Sequence, residues 1–250
     1  MLDRENCALV VGASSGIGKE IVRQLAREGF RVAMIARREE PLRLLADEIN
    51  GQRAEPVAFF YPHDVTHYSE VPGLFDRIVE DLGGLSIVYY SSGVLHEVKP
   101  DEYPFEKDRE TIEVNLIGCM AWLNEAASFF GRIQKGTIVG IGSVAGDRGR
   151  PGNPAYNASK GAQALYLESL RCRLYSKNVR VVTIKPGFID TPMIADVKSR
   201  PFMISAEAAA KQIVAAAKKR SGTVYIPRRW AIIGLILKTI PSFILKRLNI

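Results

Sequence analysis

Residues 7–29 read CALVVGASSGIGKEIVRQLAREG, and this stretch decides the fold. Cys7–Val11 is an apolar run of strand length. From 17 to 28 the residues Ile17, Ile21, Val22 and Leu25 recur at the spacing of one helix face, and Gly29 stands where such a helix would be capped. Between the two, Gly12, Gly16 and Gly18 form GxxxGxG rather than the commoner GxGxxG. Glycines at a strand-to-helix junction permit a tight turn and a close backbone approach, while the helix start offers free N–H groups to a pyrophosphate. Such a stretch alone also fits a plain turn. Its place after the first strand of an alternating pattern is what points to a dinucleotide site.

That pattern continues along the chain. Strands are predicted at 31–36, 57–61, 85–90, 137–141 and 179–184, and helices at 41–49, 71–82, 108–130 and 155–176. Strands that are continuously apolar and alternate with helices predict an α/β fold, a doubly wound Rossmann-type parallel sheet covered on both faces. No repeat or Pro/Ser-rich linker divides the 250 residues, so the expected organisation is a dinucleotide-binding and catalytic domain over 1–226 and a tail over 227–250.

The second strand ends at Arg37 and Arg38, where an NAD-binding fold usually places an acid for the ribose 2′-hydroxyl. Guanidinium groups bind a 2′-phosphate and an acid repels one, so NADP is expected over NAD. The alternative is two solvated arginines beside Glu39 and Glu40. Asp64, just past the third strand, fits either an acceptor for the adenine amino group or a cap.

Composition narrows the classes further. With 47% hydrophobic and 24% charged residues the chain is ordinary globular protein, and Cys7, Cys119 and Cys172 are scattered, which supports neither a disulfide framework nor a zinc site. A reducing, cytoplasmic setting is expected. The first seven residues hold no apolar run of the kind a secretory signal needs. The net charge of +7 comes from the end of the chain: from Ala208 onward there are nine Lys and Arg and no acids, which leaves −2 for everything before. Nucleic-acid binding is therefore not expected.

The tail interleaves apolar residues with Arg228, Arg229, Lys238, Lys246 and Arg247, and its longest apolar run, 230–237, is too short to span a bilayer. Gly234, Lys238, Ser242 and Lys246 fall at steps of four, a narrow polar stripe on an apolar helix bent at Pro241. Two readings stand: the tail lies in a membrane interface, peripheral and facing anionic lipid, or it packs on the domain or across a dimer and walls the substrate pocket.

Tyr156 and Lys160 are four apart on a predicted helix and share a face. Tyr103 and Lys107 repeat the spacing, but in a polar stretch opened by Pro104. With GASSGIG at 12–18, Asn115 in VNLIG, Ser143, and YNASK at 156–160, the chain resembles the short-chain dehydrogenase/reductases over about residues 7–226, with Pro186, Gly187 and Thr191 also in place. The resemblance implies an NADP-dependent oxidoreductase that interconverts a carbonyl and an alcohol. In it Tyr156 donates a proton to the carbonyl oxygen, Ser143 hydrogen-bonds the substrate, Lys160 holds the nicotinamide ribose and supports the phenolate, and Asn115 orients a water that relays protons to Lys160. The expected cofactor set is Gly12, Ser14, Ser15, Gly16, Ile17, Gly18, Arg37, Arg38, Asp64, Val65, Gly93, Tyr156, Lys160, Pro186, Gly187, Ile189 and Thr191. A homo-oligomer built on the helices carrying Asn115 and Tyr156 is also implied.

The chemistry of the pair agrees with the resemblance, since a phenol titrating near pH 10 needs a neighbouring cation to act at neutrality. One departure is Tyr90-Ser91-Ser92-Gly93, where the family often reads NNAG. Phe188, Ile189, Met193, Ile194, Val197, Phe202 and Met203 fall where the family has a mobile lid, and suggest an apolar ketone or aldehyde, lipid- or steroid-like. His63 and His67 are four apart but lie in a predicted loop with no third ligand, so no metal is expected, and His96 is expected near the site mouth, in contact with substrate or solvated. The competing class is a non-catalytic NADP-binding, redox-sensing module that acts through a membrane or protein partner.

Overall fold

A computed structural model of the chain describes residues 6–51, 53–99, 101–195, 197, 199–219, 221–245 and 247. Seven strands form one parallel sheet in the order β3-β2-β1-β4-β5-β6-β9. They are β1 (Cys7–Val11), β2 (Arg31–Ala36), β3 (Ala58–Pro62), β4 (Ile87–Tyr90), β5 (Gly136–Ile141), β6 (Val179–Pro186) and β9 (Gly222–Ile226), with the two-residue strands β7 (Ile189–Asp190) and β8 (Ile204–Ser205) paired apart from the sheet. The chain runs outward from β1 to β3, then crosses to β4 on the other side, so the ends of β1 and β4 flank the crevice in which such sheets bind ligands.

Five helices follow the strands of the first half and centre: α1 (Gly16–Arg27), α2 (Glu39–Asn50), α3 (Val71–Leu82), α4 (Phe105–Ile112) and α5 (Gly118–Ile133). They are followed by α6 (Pro154–Arg173), α7 (Ala206–Lys219), α8 (Trp230–Thr239) and α9 (Ser242–Leu245). Alternate residues of each strand feed two apolar cores. Ala8, Val10, Val32 and Met34 pack with α1, α2 and α7, while Leu9, Val11, Ala33 and Ile35 pack with α3, α5 and α6. That two-sided burial is why the strands read as continuous apolar runs.

The helix expected over 108–130 is longer and interrupted: α4 passes through a π-helical turn, Glu113–Ile117, into α5. Asn115 lies in that turn, and such extra-residue turns are frequent at functional sites. The helix expected over 155–176 ends at Arg173 and gives way to a short 3₁₀ turn, Tyr175–Lys177.

The tail helix α8 docks on the loops that follow β5 and β6. Trp230 is buried against Gly187, where a Cβ would stand 1.9 Å from the indole Nε1, and its ring meets Phe188 and Phe202 edge-on. Gly234 fits over Asp147 and Tyr225, and Lys238 reaches Asp147 at 3.2 Å and the Tyr225 hydroxyl at 3.1 Å. The Asp147 side chain is fully buried and also pairs with Lys185. The expected polar stripe thus faces the protein at Gly234 and Lys238, and the apolar residues Ile232, Leu235 and Ile236 face outward, 67%, 63% and 55% exposed. Lys246, the last member of that stripe, and residues 248–250 lie outside the described residues. Among the described residues no helix is long and apolar enough to cross a membrane.

Candidate active site

The glycine-rich turn is shaped for close approach. Gly12 has φ +92°, and a Cβ there would stand 2.4 Å from the backbone nitrogen of Ser92 at the end of β4. A Cβ on Gly18 would stand 2.0 Å from the Gly12 carbonyl oxygen, so the first turn of α1 lies directly on the loop. Ser15 occupies the N-cap position without a side-chain hydrogen bond, and the first turn holds no acid. The N–H groups at this helix start are left for an anion, as a dinucleotide pyrophosphate requires. Backbone and helix end therefore fit the expected cofactor.

A cavity of about 550 Å³ runs from this turn over the carboxyl ends of the strands. Its wall includes Gly12, Ser14, Ser15, Gly16, Ile17, Arg37, Arg38, Val65, Gly93, Ser143, Tyr156, Lys160, Pro186, Gly187, Ile189 and Thr191, sixteen of the expected site residues. Gly18 and Asn115 are buried behind it. Asp64 is not in the wall: its Oδ1 accepts from the Thr66 amide and hydroxyl, at 3.0 and 2.8 Å, and its Oδ2 lies 3.7 Å from Arg37. The capping alternative describes Oδ1. Arg38 instead leans over the turn and donates to the Ser14 hydroxyl at 3.1 Å.

At the other end, α6 starts at Pro154 and presents Tyr156 and Lys160 on one face. Lys160 is buried and donates to the Ile141 carbonyl and the Gln163 side chain, at 3.0 and 3.2 Å. Burial lowers its pKa from the usual 10.5 to about 8. Ser143 opens a short 3₁₀ turn, its Oγ accepting from the Ala145 amide at 3.1 Å. It therefore caps a turn while facing the phenol. Burial raises the Tyr156 pKa, and a hydrogen bond with Ser143 and the charge of Arg150 act in the opposite sense. The sequence reading assigned this help to Lys160, whose Nζ lies 5.9 Å from the Tyr156 ring centroid. Arg150, not among the residues expected from sequence, is a second cation whose charge acts on the phenol.

Asn115 spends its amide on structure. Nδ2 donates to the Val94 carbonyl and the Ser159 hydroxyl, and Oδ1 accepts from the Val94 amide, tying the segment after β4 to α6. In the departing tetrapeptide, Tyr90 is buried and donates to the Val114 carbonyl at 2.6 Å, which holds β4 to the π-helical turn.

Of the lid residues, Phe188, Ile189, Met193, Ile194 and Val197 line the cavity, while Phe202 and Met203 are exposed. Trp230 and Leu237 of α8 complete this apolar side. His96 does not line it and faces Glu110 at 3.0 Å. His63 does, with neither ring nitrogen hydrogen-bonded among the described residues. Sequence reasoning had weighed His63 only as a metal ligand, and no metal-holding cluster occurs among the described residues. Tyr103 is 91% exposed and Lys107 pairs with Glu102, so the second YxxxK is a surface feature.

The model of one protein family, short chain dehydrogenase, matches residues 6–201. An uncharacterized oxidoreductase of Myxococcus xanthus is 32% identical over 238 residues, covering 94% of this chain and 92% of that protein. A 3-oxoacyl-(acyl-carrier-protein) reductase of Bos taurus is 31% identical over 190 residues, 76% of this chain and 78% of that protein. Among solved structures, an actinorhodin polyketide ketoreductase with NADPH superposes with a TM-score of 0.82 at 26% identity, covering 96% of this chain and 100% of that one.

Proposed function

Because the chain belongs to the short-chain dehydrogenase family, an oxidoreductase family acting between carbonyl and alcohol, we propose that it uses NADPH to reduce an apolar ketone or aldehyde. The observation that carries the reading is the convergence of Ser143, Tyr156 and Lys160 on a cavity that also contains an uncapped helix start. Bound NADPH would supply the hydride.

The protein supplies the proton and the setting. Gly12, Ser14, Ser15, Gly16, Ile17 and Gly18 would hold the pyrophosphate, and Arg38, with Arg37 beside it, the 2′-phosphate. Val65, Gly93, Pro186, Gly187, Ile189 and Thr191 would line the rest of the cofactor's path, and Lys160 would donate to the nicotinamide ribose. The Tyr156 hydroxyl, kept protonated at neutral pH by burial, donates its proton to the substrate carbonyl oxygen while Ser143 hydrogen-bonds the same oxygen. Asn115 holds the π-helical turn behind Lys160, from which a water relay to the lysine would be oriented. The walls made by Phe188, Met193, Val197, Trp230 and Leu237 support an apolar substrate.

The test follows NADPH absorbance with aliphatic ketones and aldehydes of rising chain length. The reading expects oxidation of NADPH that becomes more efficient as the chain lengthens. NADPH binding without turnover of any carbonyl would favour the redox-sensing module instead, against which the complete catalytic set argues.

An amphipathic helix that docks through Gly234 and Lys238 and turns Ile232, Leu235 and Ile236 outward is inverted relative to a helix in water. With nine basic residues and no acid from Ala208 onward, the surface that complements it is an anionic bilayer, and we infer peripheral attachment through α8. Exposed Ile117, Met120 and Leu165 on the helices carrying Asn115 and Tyr156 are the proposed basis of a homo-oligomer.

A further inference from the structure

We propose that Arg150 forms an anion-binding subsite at the substrate end of the cavity. The ligand class is then an apolar chain that carries a carboxylate or phosphate close to the reacting carbonyl. This rests on the reductase reading and narrows it.

Arg150 lies in the cavity wall with Val144, Gly152, Asn153 and Tyr156. Other arginines have partners, acidic or neutral: Arg23 has Glu48, Arg43 has Asp47, Arg171 the Val181 carbonyl and Thr183 hydroxyl, and Arg180 the Thr137 hydroxyl. Among the described residues no carboxylate pairs with Arg150. The acid nearest in sequence, Asp147, is committed to Lys185, Tyr225 and Lys238. A half-buried guanidinium without a counter-charge is costly to maintain unless an anion meets it in the working state.

The loop that presents it is built rather than loose. Asn157, in the YNASK run, donates through Nδ2 to the carbonyls of Gly152 and Arg150, at 2.9 and 3.3 Å. Upstream, Gly146 sits so close to α6 that a Cβ there would stand 2.5 Å from the Lys160 backbone. Arg150 is therefore held in register with the catalytic helix, and its charge is felt by the Tyr156 hydroxyl.

The cofactor does not account for it. The arginines suited to a 2′-phosphate stand at the end of β2, and Arg150 follows β5, three strands away in the sheet order, which is about 14 Å at the usual strand spacing. The same cavity is also lined by the apolar residues Leu95, Phe188, Met193, Trp230 and Leu237. One planar, five-donor cation in such surroundings selects a ligand with an anionic head and a hydrocarbon body.

Calorimetry on the NADPH-loaded protein tests this with decanoate, decyl phosphate and the neutral isostere decanamide. At least one anion is expected to bind about 10-fold or more tighter than decanamide, because a charge-assisted, bidentate contact is added. The tighter anion identifies the head group as carboxylate or phosphate. Arg150→Met is expected to abolish that preference, and Arg150→Lys, which keeps the charge and loses the fork, to retain part of it. Equal binding of all three ligands to the wild type, or an equal loss for all three in Arg150→Met, would overturn the proposal. Failure of the reductase reading gives a different result: Arg150-dependent anion binding with no oxidation of NADPH by any ketone.

Discussion

Arg38 donates through Nη2 to the Ser14 hydroxyl at 3.1 Å, so the end of β2 is held over the glycine-rich turn. Its neighbour Arg37 also lines the cavity but lies 3.7 Å from Asp64. The two arginines that look equivalent in sequence are therefore not equivalent for a 2′-phosphate. Hydrogen bonds to charged groups contribute ~1.5–3 kcal/mol, so Arg38→Ala is expected to raise the NADPH dissociation constant about 10- to 100-fold. NADH binding should change little, and Arg37→Ala should have the smaller effect. Fluorescence titration of both cofactors against both variants checks this, and a larger loss in Arg37→Ala would reverse the assignment.

Lys160 gives a pH dependence whose sign follows from its burial. A lysine is charged below its pKa, and burial lowers this one to about 8, so the ammonium is lost as pH rises through that value. Since the charged form would donate to the cofactor ribose, NADPH affinity is expected to weaken as pH rises through about 8. Lys160→Met should bind more weakly below that pH and show no such decline. A wild-type affinity that stays flat across this range would contradict the assignment.

Gly187 and Trp230 couple the loop after β6 to α8. A Cβ at Gly187 would stand 1.9 Å from the indole nitrogen, so Gly187→Ala must displace Trp230 or the loop. Overpacking of this kind costs about 1–3 kcal/mol, to be read from urea unfolding. Trp230→Leu leaves room for the added methyl, so the double variant should be more stable than the sum of the two single losses predicts. Strict additivity would show that the contact is not what constrains Gly187.

Bilayer attachment predicts co-sedimentation with phosphatidylglycerol vesicles and less with phosphatidylcholine. Changing Ile232, Leu235 and Ile236 together to Ser removes the exposed apolar face while leaving the docked residues of α8 in place. That variant should stay in the supernatant. Undiminished sedimentation with the anionic vesicles would rule out α8 as the attachment surface.

The sheet was legible because β1, β2, β4, β5 and β6 are buried on both faces and are therefore largely apolar. Less was visible toward the end of the chain. The run AEAAAKQIVAAAKK forms α7, whose apolar stripe is made largely of alanines, and β9 is the short run GTVYI. The π-helical turn at Glu113–Ile117 interrupts a segment that reads as one helix in sequence.

Of the residues that line the cavity, Tyr156 and Lys160 were legible as the four-apart pair of YNASK, and Ser143 through the family resemblance. Arg150, His63 and Leu237 were not, since only the packing of distant segments brings them to one cavity. Arg150 did carry a faint signal, as a basic residue in the short loop before YNASK. Of the expected stripe, Gly234 and Lys238 share one face of α8, and which way that face turns depends on Asp147, far away in the chain and buried beneath it.

In the proposed reduction the Tyr156 hydroxyl donates the proton to the carbonyl. Single-turnover oxidation of NADPH by a responsive ketone, measured for wild type and Tyr156→Phe at equal cofactor occupancy, tests it most directly. General acid catalysis contributes typically 10²–10⁴-fold, so the variant is expected to react about 100- to 10,000-fold more slowly with NADPH affinity near wild type. An undiminished rate in Tyr156→Phe would contradict the account.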